Sequence, residues 1–328
     1  MRRTLRRTVL MAALLALAAH VPAQADTFPN KAITIIPVLA AGTGLDVTVR
    51  LYAEQLSQTF GKPVIVENKP GSAGLVGVAA LKAAPADGYT MIVATSAIMA
   101  IRPTLLKHPP YDPLKDFIPI ALYVKSPFIL VVNPALPVHS VPDLIAYVKE
   151  RPGQLSYSSS GVGGAPHLSA EYMKQRFGID LAHVPYRNSP QSIADVAAGH
   201  VAMAFAEAGA SLPLIHDGRL RALAVTSSTR LPTVPDLPPF GEAVGATDFE
   251  AVSWHVLLAP AGTPPDVVAK LHGEMKRIME EPGMRKKVAD IGLIPLDIAS
   301  VDDASRYIAA EGRKWGELVR KLGLEGSQ

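Results

Sequence analysis

Residues 31–46 read KAITIIPVLAAGTGLD and join a short apolar run, a loop with two glycines and the first turn of a helical pattern. The β-branched run over 31–38 predicts a buried strand. Apolar residues then recur at helical spacing from Leu45 to Leu56 and predict an amphipathic helix. A strand, loop and helix in this order aim free backbone N–H groups and the positive end of the helix dipole at one point, which favours an anion.

A second loop of the same kind spans residues 158–167 and reads SSSGVGGAPH. Leu155–Ser159 before it has a strand pattern, and His167–Phe177 after it has a helical one. Asp46 is the only ionised side chain in the two loops. The pair of loops therefore predicts two halves of the protein that close on one small carboxylate.

The rest of the chain alternates short β-branched runs with longer helical periods, which predicts an α/β fold with largely parallel sheets. Three helices are predicted at the end of the chain, over Pro264–Glu280, Pro282–Asp290 and Val301–Lys321. The 328 residues include no cysteine, so no disulfide, thiolate or cysteine-bound zinc is expected. The nine histidines are scattered, and no metal or other cofactor is expected.

The N-terminus has the pattern of a secretory signal peptide over residues 1–25. Four arginines precede the apolar run Val9–Ala19, and Ala23-Gln24-Ala25 fits the small-residue cleavage signal. The run is too short to span a bilayer. Without this leader the chain has 28 basic and 29 acidic residues. We therefore expect a near-neutral periplasmic protein that begins at Asp26, with no affinity for nucleic acid.

Six further segments, taken in order and spacing, resemble the substrate-binding proteins of the tripartite tricarboxylate transporter system, the Bug family. They read VENKPG at 66–71, DGYT at 87–90, YDPLKDF at 111–117, HVPY at 183–186, LRALAVT at 220–226 and LAPAGTP at 258–264. The resemblance covers about Phe28 to Leu324. It implies a monomeric receptor, without a cofactor, that binds a small organic acid and delivers it to the membrane permease subunits of such a transporter.

The resemblance also implies a two-lobed periplasmic binding protein fold of the type II-like, hinge-trap kind. Each lobe would be a mixed, mostly parallel sheet flanked by helices. The first lobe would comprise residues 26–122 and 252–328, and the second lobe residues 123–251. Two strands would cross between the lobes near 121–125 and 251–256.

In this family a loop of each lobe holds a ligand carboxylate, partly through ordered waters. The positions carried over to this chain are Gly42, Thr43, Gly44, Asp46, Thr95, Ser96 and Ala97 in the first lobe, and Ser158, Ser159, Ser160, Gly163, Gly164 and His167 in the second. Where relatives often carry polar residues, this chain has Leu45, Ile98, Met99 and Val162. These apolar residues suggest a less polar ligand than citrate, such as the aromatic dicarboxylate terephthalate.

Several residues allow a second interpretation. Asp46 lies in the first turn of a helix, where capping is the more common role than ligand binding. Trp254 would line the cleft or pack in the core. Glu207 replaces part of an Asp-Asn pair frequent in the family, and it would be either solvated, which we favour, or an acceptor for a ligand amine. The glycines over 71–77 have the wrong spacing for a dinucleotide loop and predict close packing of a helix.

An exported α/β hydrolase is the alternative function, because His167 follows a run of serines. No G-x-S-x-G elbow surrounds Ser160, and no acid is placed to orient the histidine. We therefore interpret His167 as a hydrogen-bonding residue at the start of a helix, and the protein as a non-catalytic receptor.

The signal-peptide pattern predicts cleavage after Ala25. Mass spectrometry of the exported protein should show an N-terminus at Asp26, and an Ala25→Phe variant should stay unprocessed, because the cleavage site accepts only small side chains. An exported, folded protein that retains its leader would contradict the prediction.

Overall fold

The strands of the protein form two separate sheets in the computed structural model, which describes residues 28–328. The signal peptide and its cleavage site lie outside the described residues. The strands are β1 Ile33–Pro37, β2 Val64–Val66, β3 Thr90–Thr95, β4 Phe117–Ser126, β5 Phe128–Val132, β6 Ser156–Ser159, β7 Ala182–Pro185, β8 Met203–Glu207, β9 Arg221–Val225, β10 Ser253–Pro260 and β11 Ile294–Pro295.

The helices flank these sheets. They are α1 Gly44–Phe60, α2 Leu75–Lys82, α3 Arg102–Leu105, α4 Val141–Lys149, α5 Ala165–Phe177, α6 Ser189–Ala198, α7 Ala208–His216, α8 Phe240–Val244, α9 Pro265–Glu280, α10 Pro282–Asp290 and α11 Val301–Lys321. A 3-10 turn at Ser72–Gly74 precedes α2, and a π-helical turn at Ala97–Ile101 precedes α3. The three predicted C-terminal helices correspond to α9, α10 and α11.

Both sheets are mixed, with most of their strands in one direction. The first sheet has the order β11-β4-β10-β3-β1-β2, and β10 and β11 run against the other four strands. The second sheet has the order β7-β6-β8-β5-β9, and β5 runs against the other four. The predicted α/β fold with two mixed, helix-flanked sheets is thus confirmed.

The chain passes between the sheets at two places that lie side by side. It leaves β4 at Ser126 and enters β5 at Phe128, and it returns into β10 at Ser253, which pairs with Ser126. On the side of the second sheet, buried Thr226 binds both passages. Its hydroxyl accepts from the Phe128 N–H at 2.9 Å and its carbonyl accepts from the Ala251 N–H at 3.2 Å. The lobe boundaries predicted at 122/123 and 251/252 stay predictions.

The glycines of 71–77 serve close packing, as their spacing predicted. A Cβ on Gly77 would lie 2.9 Å from Val38 Cγ1, and one on Gly74 would lie 2.6 Å from Ile98 Cδ1. Helix α2 therefore lies against the residue that follows β1 and against the turn that follows β3. These two contacts hold α2 against the segments that follow β1 and β3.

Helix α7 was not predicted from the sequence. It contains Gly209 near its start and Pro213 in its interior, and both residues disfavour a helix when read locally. Packing of α7 beside α6 and against the second sheet overrides these preferences.

Helix α11 is tied to the first sheet through a carboxylate shared by the two tryptophans. Trp254 of β10 and Trp315 of α11 are both buried, and each indole N–H donates to Glu311 Oε2, at 3.2 and 2.9 Å. The core interpretation of Trp254 is therefore confirmed. Glu311 satisfies two buried donors that would otherwise lack an acceptor.

Replacing Glu311 by leucine should lower the free energy of unfolding by about 2–3 kcal/mol, because it leaves both indole donors unsatisfied. Glu311→Gln keeps one acceptor oxygen and should cost about 1 kcal/mol or less. The matched control is Glu317→Leu at an exposed position of the same helix, with an expected change within about 0.5 kcal/mol. Urea unfolding followed by circular dichroism measures all three, and equal effects of the two leucine variants would contradict this role of Glu311.

Candidate functional site

The first loop, residues 38–43, connects β1 to α1 and begins the helix with a side-chain cap. Thr43 is the N-cap residue, and its hydroxyl accepts from the Asp46 N–H at 3.4 Å and donates to the Ala40 carbonyl at 2.8 Å. Gly42 has φ +81°, a left-handed conformation that a side chain would disfavour. The loop therefore has a defined shape before any ligand binds.

The buried carboxylate of Asp46 helps to fix the conformation of this loop through hydrogen bonds. The carboxylate accepts from the Gly42 N–H at 2.9 Å, from Arg50 Nε at 3.1 Å and from Asn68 Nδ2 at 2.9 Å. Burial alone would raise the pKa of Asp46, but the hydrogen bonds from Arg50, Gly42 and Asn68 outweigh it and hold the pKa below its ordinary value. The N-cap of α1 is Thr43 and not Asp46, so the capping role predicted for Asp46 is wrong. Asp46 instead bonds the loop at the Gly42 N–H, and its direct contact with a ligand stays a prediction.

The second predicted segment of the first lobe, Thr95–Ala97, lies at the carboxyl end of β3, the strand next to β1. The Ser96 and Ser253 hydroxyls form a buried hydrogen bond at 3.0 Å. Since Ser253 begins β10, this bond connects the end of β3 to the returning passage between the lobes. Ala97 then starts the π-helical turn.

The second loop lies between β6 and α5 and is partly self-bonded. Ser158 is buried and bonds the Ser192 hydroxyl of α6 at 2.8 Å. The Ser159 hydroxyl bonds His183 Nε2 at 2.7 Å, and the Gly163 N–H donates to His167 Nδ1 at 3.1 Å. Ser160, in contrast, is half-buried, with no side-chain hydrogen bond described to any residue of 28–328.

Helix α5 begins without a side-chain cap, unlike α1. Gly164 is its N-cap residue and no side chain bonds the first turn. Its backbone donors, apart from Pro166, are therefore left for another acceptor. This is the arrangement in which a helix N-terminus receives an anion.

Three stacked rings, those of Tyr157, His183 and His167, lie next to the second loop. The centroid of the His183 ring lies 4.8 Å from the centroid of the Tyr157 ring and 4.2 Å from the centroid of the His167 ring. Burial lowers the pKa of His167, and burial together with His167 lowers the pKa of His183 to about 4. Neutral His167 accepts the Gly163 N–H, as its helix-start interpretation required. Sequence reasoning did not assign His183 to the site, because it comes from the neighbouring strand β7.

The second loop also contacts the first lobe. A Cβ on Gly163 would overlap Leu105 Cδ1 of α3, and Gln328 Nε2 donates to the Val162 carbonyl at 3.1 Å. At a second contact between the lobes, Gly292 lies against Ala208, and a Cβ on Gly292 would be 2.5 Å from the alanine Cβ. The two lobes therefore meet at Gly163 of the second loop and at Gly292, just before β11.

The four apolar residues that suggested an aromatic ligand do not share one environment. Leu45, Ile98 and Met99 are at most 2% exposed, whereas Val162 is 42% exposed. Ile98 packs against α2, as described above. Val162 is the one of the four that the protein presents at its surface.

Two other features bear on function. Among residues 28–328, no cluster of three or more histidine, aspartate or glutamate side chains is placed to hold a metal ion. In the same part of the chain, no helix combines the length and apolar character needed to cross a bilayer.

The two sheets, the paired passages between them and the loops at strand ends define a two-lobed binding protein fold. The chain belongs to the tripartite tricarboxylate transporter family receptors, whose family model matches residues 48–324. It is 33% identical over 305 residues to protein BugT of Bordetella pertussis, with 93% of each chain covered.

Solved structures agree with this assignment. The structure of R. palustris Rpa4515 with adipate has a TM-score of 0.82 and 33% identity, and it covers 90% of this chain and 98% of its own. MatC from Rhodopseudomonas palustris with bound malate has a TM-score of 0.76 and 26% identity, covering 89% of this chain and 100% of its own.

The histidine stack makes stability depend on pH. Because the pKa of His183 is depressed from about 6.5 in the unfolded chain to about 4, its contribution is fully present above pH 6.5 and is lost as the pH falls toward 4. Between pH 7 and 5 the free energy of unfolding should therefore fall by about 1–2 kcal/mol more in the wild type than in His183→Gln. Urea titrations at both pH values test this, with exposed His108→Gln as the control that keeps the wild-type loss. A His183→Gln protein as acid-sensitive as the wild type would contradict the prediction.

Proposed function

We propose that the protein is a periplasmic, monomeric solute-binding protein that captures a small organic carboxylate between its lobes and delivers it to the permease of a tripartite tricarboxylate-type transporter. The observation that carries the proposal is the uncapped N-terminus of α5 behind the second glycine-containing loop, opposite a first lobe whose own loops follow β1 and β3. Family membership and the adipate and malate named with the two solved relatives support the ligand class.

The two loops would have different roles in ligand binding. The first loop is fixed by its own cap and by Asp46, so it offers a rigid wall with few free donors. The second loop offers Ser160 and the first-turn N–H groups of α5 to a carboxylate. Backbone donors and a helix dipole stabilise an anion without a desolvated counter-charge, which suits a ligand that must also be released.

The finer proposal is a ligand with an apolar body, of which terephthalate is one example. Exposed Val162 in the second loop supports it. The burial of Leu45, Ile98 and Met99 leaves this support weaker than the sequence pattern suggested, so aliphatic acids such as adipate belong in the same comparison.

One observation favours the hydrolase alternative: the Ser159 hydroxyl lies 2.7 Å from His183 Nε2, within hydrogen-bond distance. Two facts favour the receptor instead. Ser159 is only 1% exposed, and its hydroxyl also bonds both the N–H and the carbonyl of Gly161. A nucleophile has to reach its substrate, and this hydroxyl is held inside the loop.

Calorimetric titration of the mature protein with terephthalate, adipate, malate and citrate tests the proposal. At least one of these acids should bind without turnover, and Gly163→Ala should weaken its binding at least roughly tenfold, about 1.4 kcal/mol. The reason is that Gly163 has φ +75° and a Cβ there would overlap Leu105.

The control for this titration is Gly273→Ala in α9, where an added Cβ meets nothing within 4 Å and φ is not positive. Its ligand affinity should equal that of the wild type. Unchanged affinity in Gly163→Ala would exclude the second loop as the binding site, and hydrolysis of an ester probe that is abolished by Ser159→Ala would favour the hydrolase.

A further inference from the structure

Two backbone hydrogen bonds attach Gln328 to the first lobe beside α3. The Gln328 N–H donates to the carbonyl of Leu105, the last residue of α3, at 3.1 Å. The Gln328 carbonyl accepts from the Lys107 N–H at 2.8 Å. The position from which the Gln328 side chain extends is therefore determined by the first lobe.

The Gln328 side chain reaches across to the second loop. Its Nε2 donates to the Val162 carbonyl at 3.1 Å. Beside this bond, buried Leu105 packs against Gly163, where an added Cβ would overlap the leucine side chain. One polar group and one apolar group of the first lobe thus contact two successive residues of the second loop.

The peptide group that joins Val162 to Gly163 is hydrogen-bonded from both lobes. Its carbonyl accepts from Gln328, and its N–H donates to His167 Nδ1 at 3.1 Å. The glycines on either side of Val162 both have positive φ, +128° at Gly161 and +75° at Gly163. Because glycine allows many backbone conformations, hydrogen bonds have to fix the orientation of this peptide group.

This orientation bears on the proposed ligand site. Gly164 follows directly, and it is the N-cap residue of α5, whose first-turn N–H groups are proposed to bind the carboxylate. The Gly164 N–H donates back to the Gly161 carbonyl at 3.3 Å and closes the turn around Val162. Rotation of the Val162–Gly163 peptide group would therefore displace the start of α5 from its ligand.

We propose that Gln328 is a positioning residue that acts on the ligand through Val162. With the lobes together, it fixes the second loop in its binding conformation and so slows the release of a bound carboxylate. Separation of the lobes would break the bond to Val162 and leave the bond between Gly163 and His167, which both belong to the second lobe. This inference rests on the proposed function, since it concerns the retention of the same ligand.

The rates of binding and release test the inference. Surface plasmon resonance of the immobilised mature protein with adipate, malate, terephthalate and citrate measures both rate constants. Gln328→Met keeps the length of the side chain and removes its donor. For an acid that binds the wild type, the dissociation rate constant should rise about three- to tenfold, the effect of one neutral hydrogen bond. The association rate constant should change by less than about twofold, because a contact that forms after the encounter acts mainly on dissociation.

Two controls separate this role from a general effect on the fold. Ser327→Ala, at the exposed neighbouring position, should keep both wild-type rate constants. The thermal midpoint of Gln328→Met without ligand should equal that of the wild type, because the Gln328 side chain is exposed and its partner carbonyl can bond to water.

An unchanged dissociation rate constant in Gln328→Met, or a change confined to association, would overturn the inference and leave the proposed function intact. Faster dissociation together with a lower thermal midpoint without ligand would also overturn it, because the residue would then have a structural role. Failure of the wild type to bind any of the four acids would contradict the proposed function itself, and this inference with it.

Discussion

The antiparallel ladder between β4 and β10 is the constraint on which the two-lobed arrangement depends. It runs from Ser253 opposite Ser126 to Pro260 opposite Phe117. Because both passages between the lobes leave the first sheet at one end of this ladder, the covalent connections to the second lobe lie side by side. Any relative motion of the lobes would then be confined to the few residues next to Ser126 and Ser253.

Polar contacts reinforce the attachment from both sides. Lys125 of β4 and Glu250, just before β10, form an ion pair at 2.9 Å with both side chains largely shielded from water. Thr226 binds both passages from the second sheet, and Ser96 binds the start of β10 from the first. The passages between the lobes are thus connected directly to the end of β3, so that a movement of the lobes would also shift the segment Thr95–Ala97.

Local patterns predicted most of the fold. Residues 31–46 contain a buried strand, an N-cap and a helical stripe within one short segment, and β1 and α1 follow from them. Helix α7 was missed because its local signal is poor, and the two-residue strand β11 was missed because it exists only through pairing with β4. The site shows the same limit. Capping by Thr43 and the bond of Asp46 to the Gly42 N–H are local. The bond of Asp46 to Asn68 and the stack of His167 on His183, in contrast, join segments whose proximity only the topology determines.

The shared acceptor of the tryptophans has a spectroscopic consequence. The chain contains two tryptophans, and both lie between the first sheet and α11 with their indole N–H groups on one carboxylate oxygen. Intrinsic tryptophan emission therefore comes from the first lobe, with Trp315 also facing a cavity shared with Tyr172 and Gln175 of α5, whereas the second loop and the histidine stack contain no tryptophan. A comparison of emission with a whole-chain signal during unfolding would show whether the two lobes melt together or in sequence.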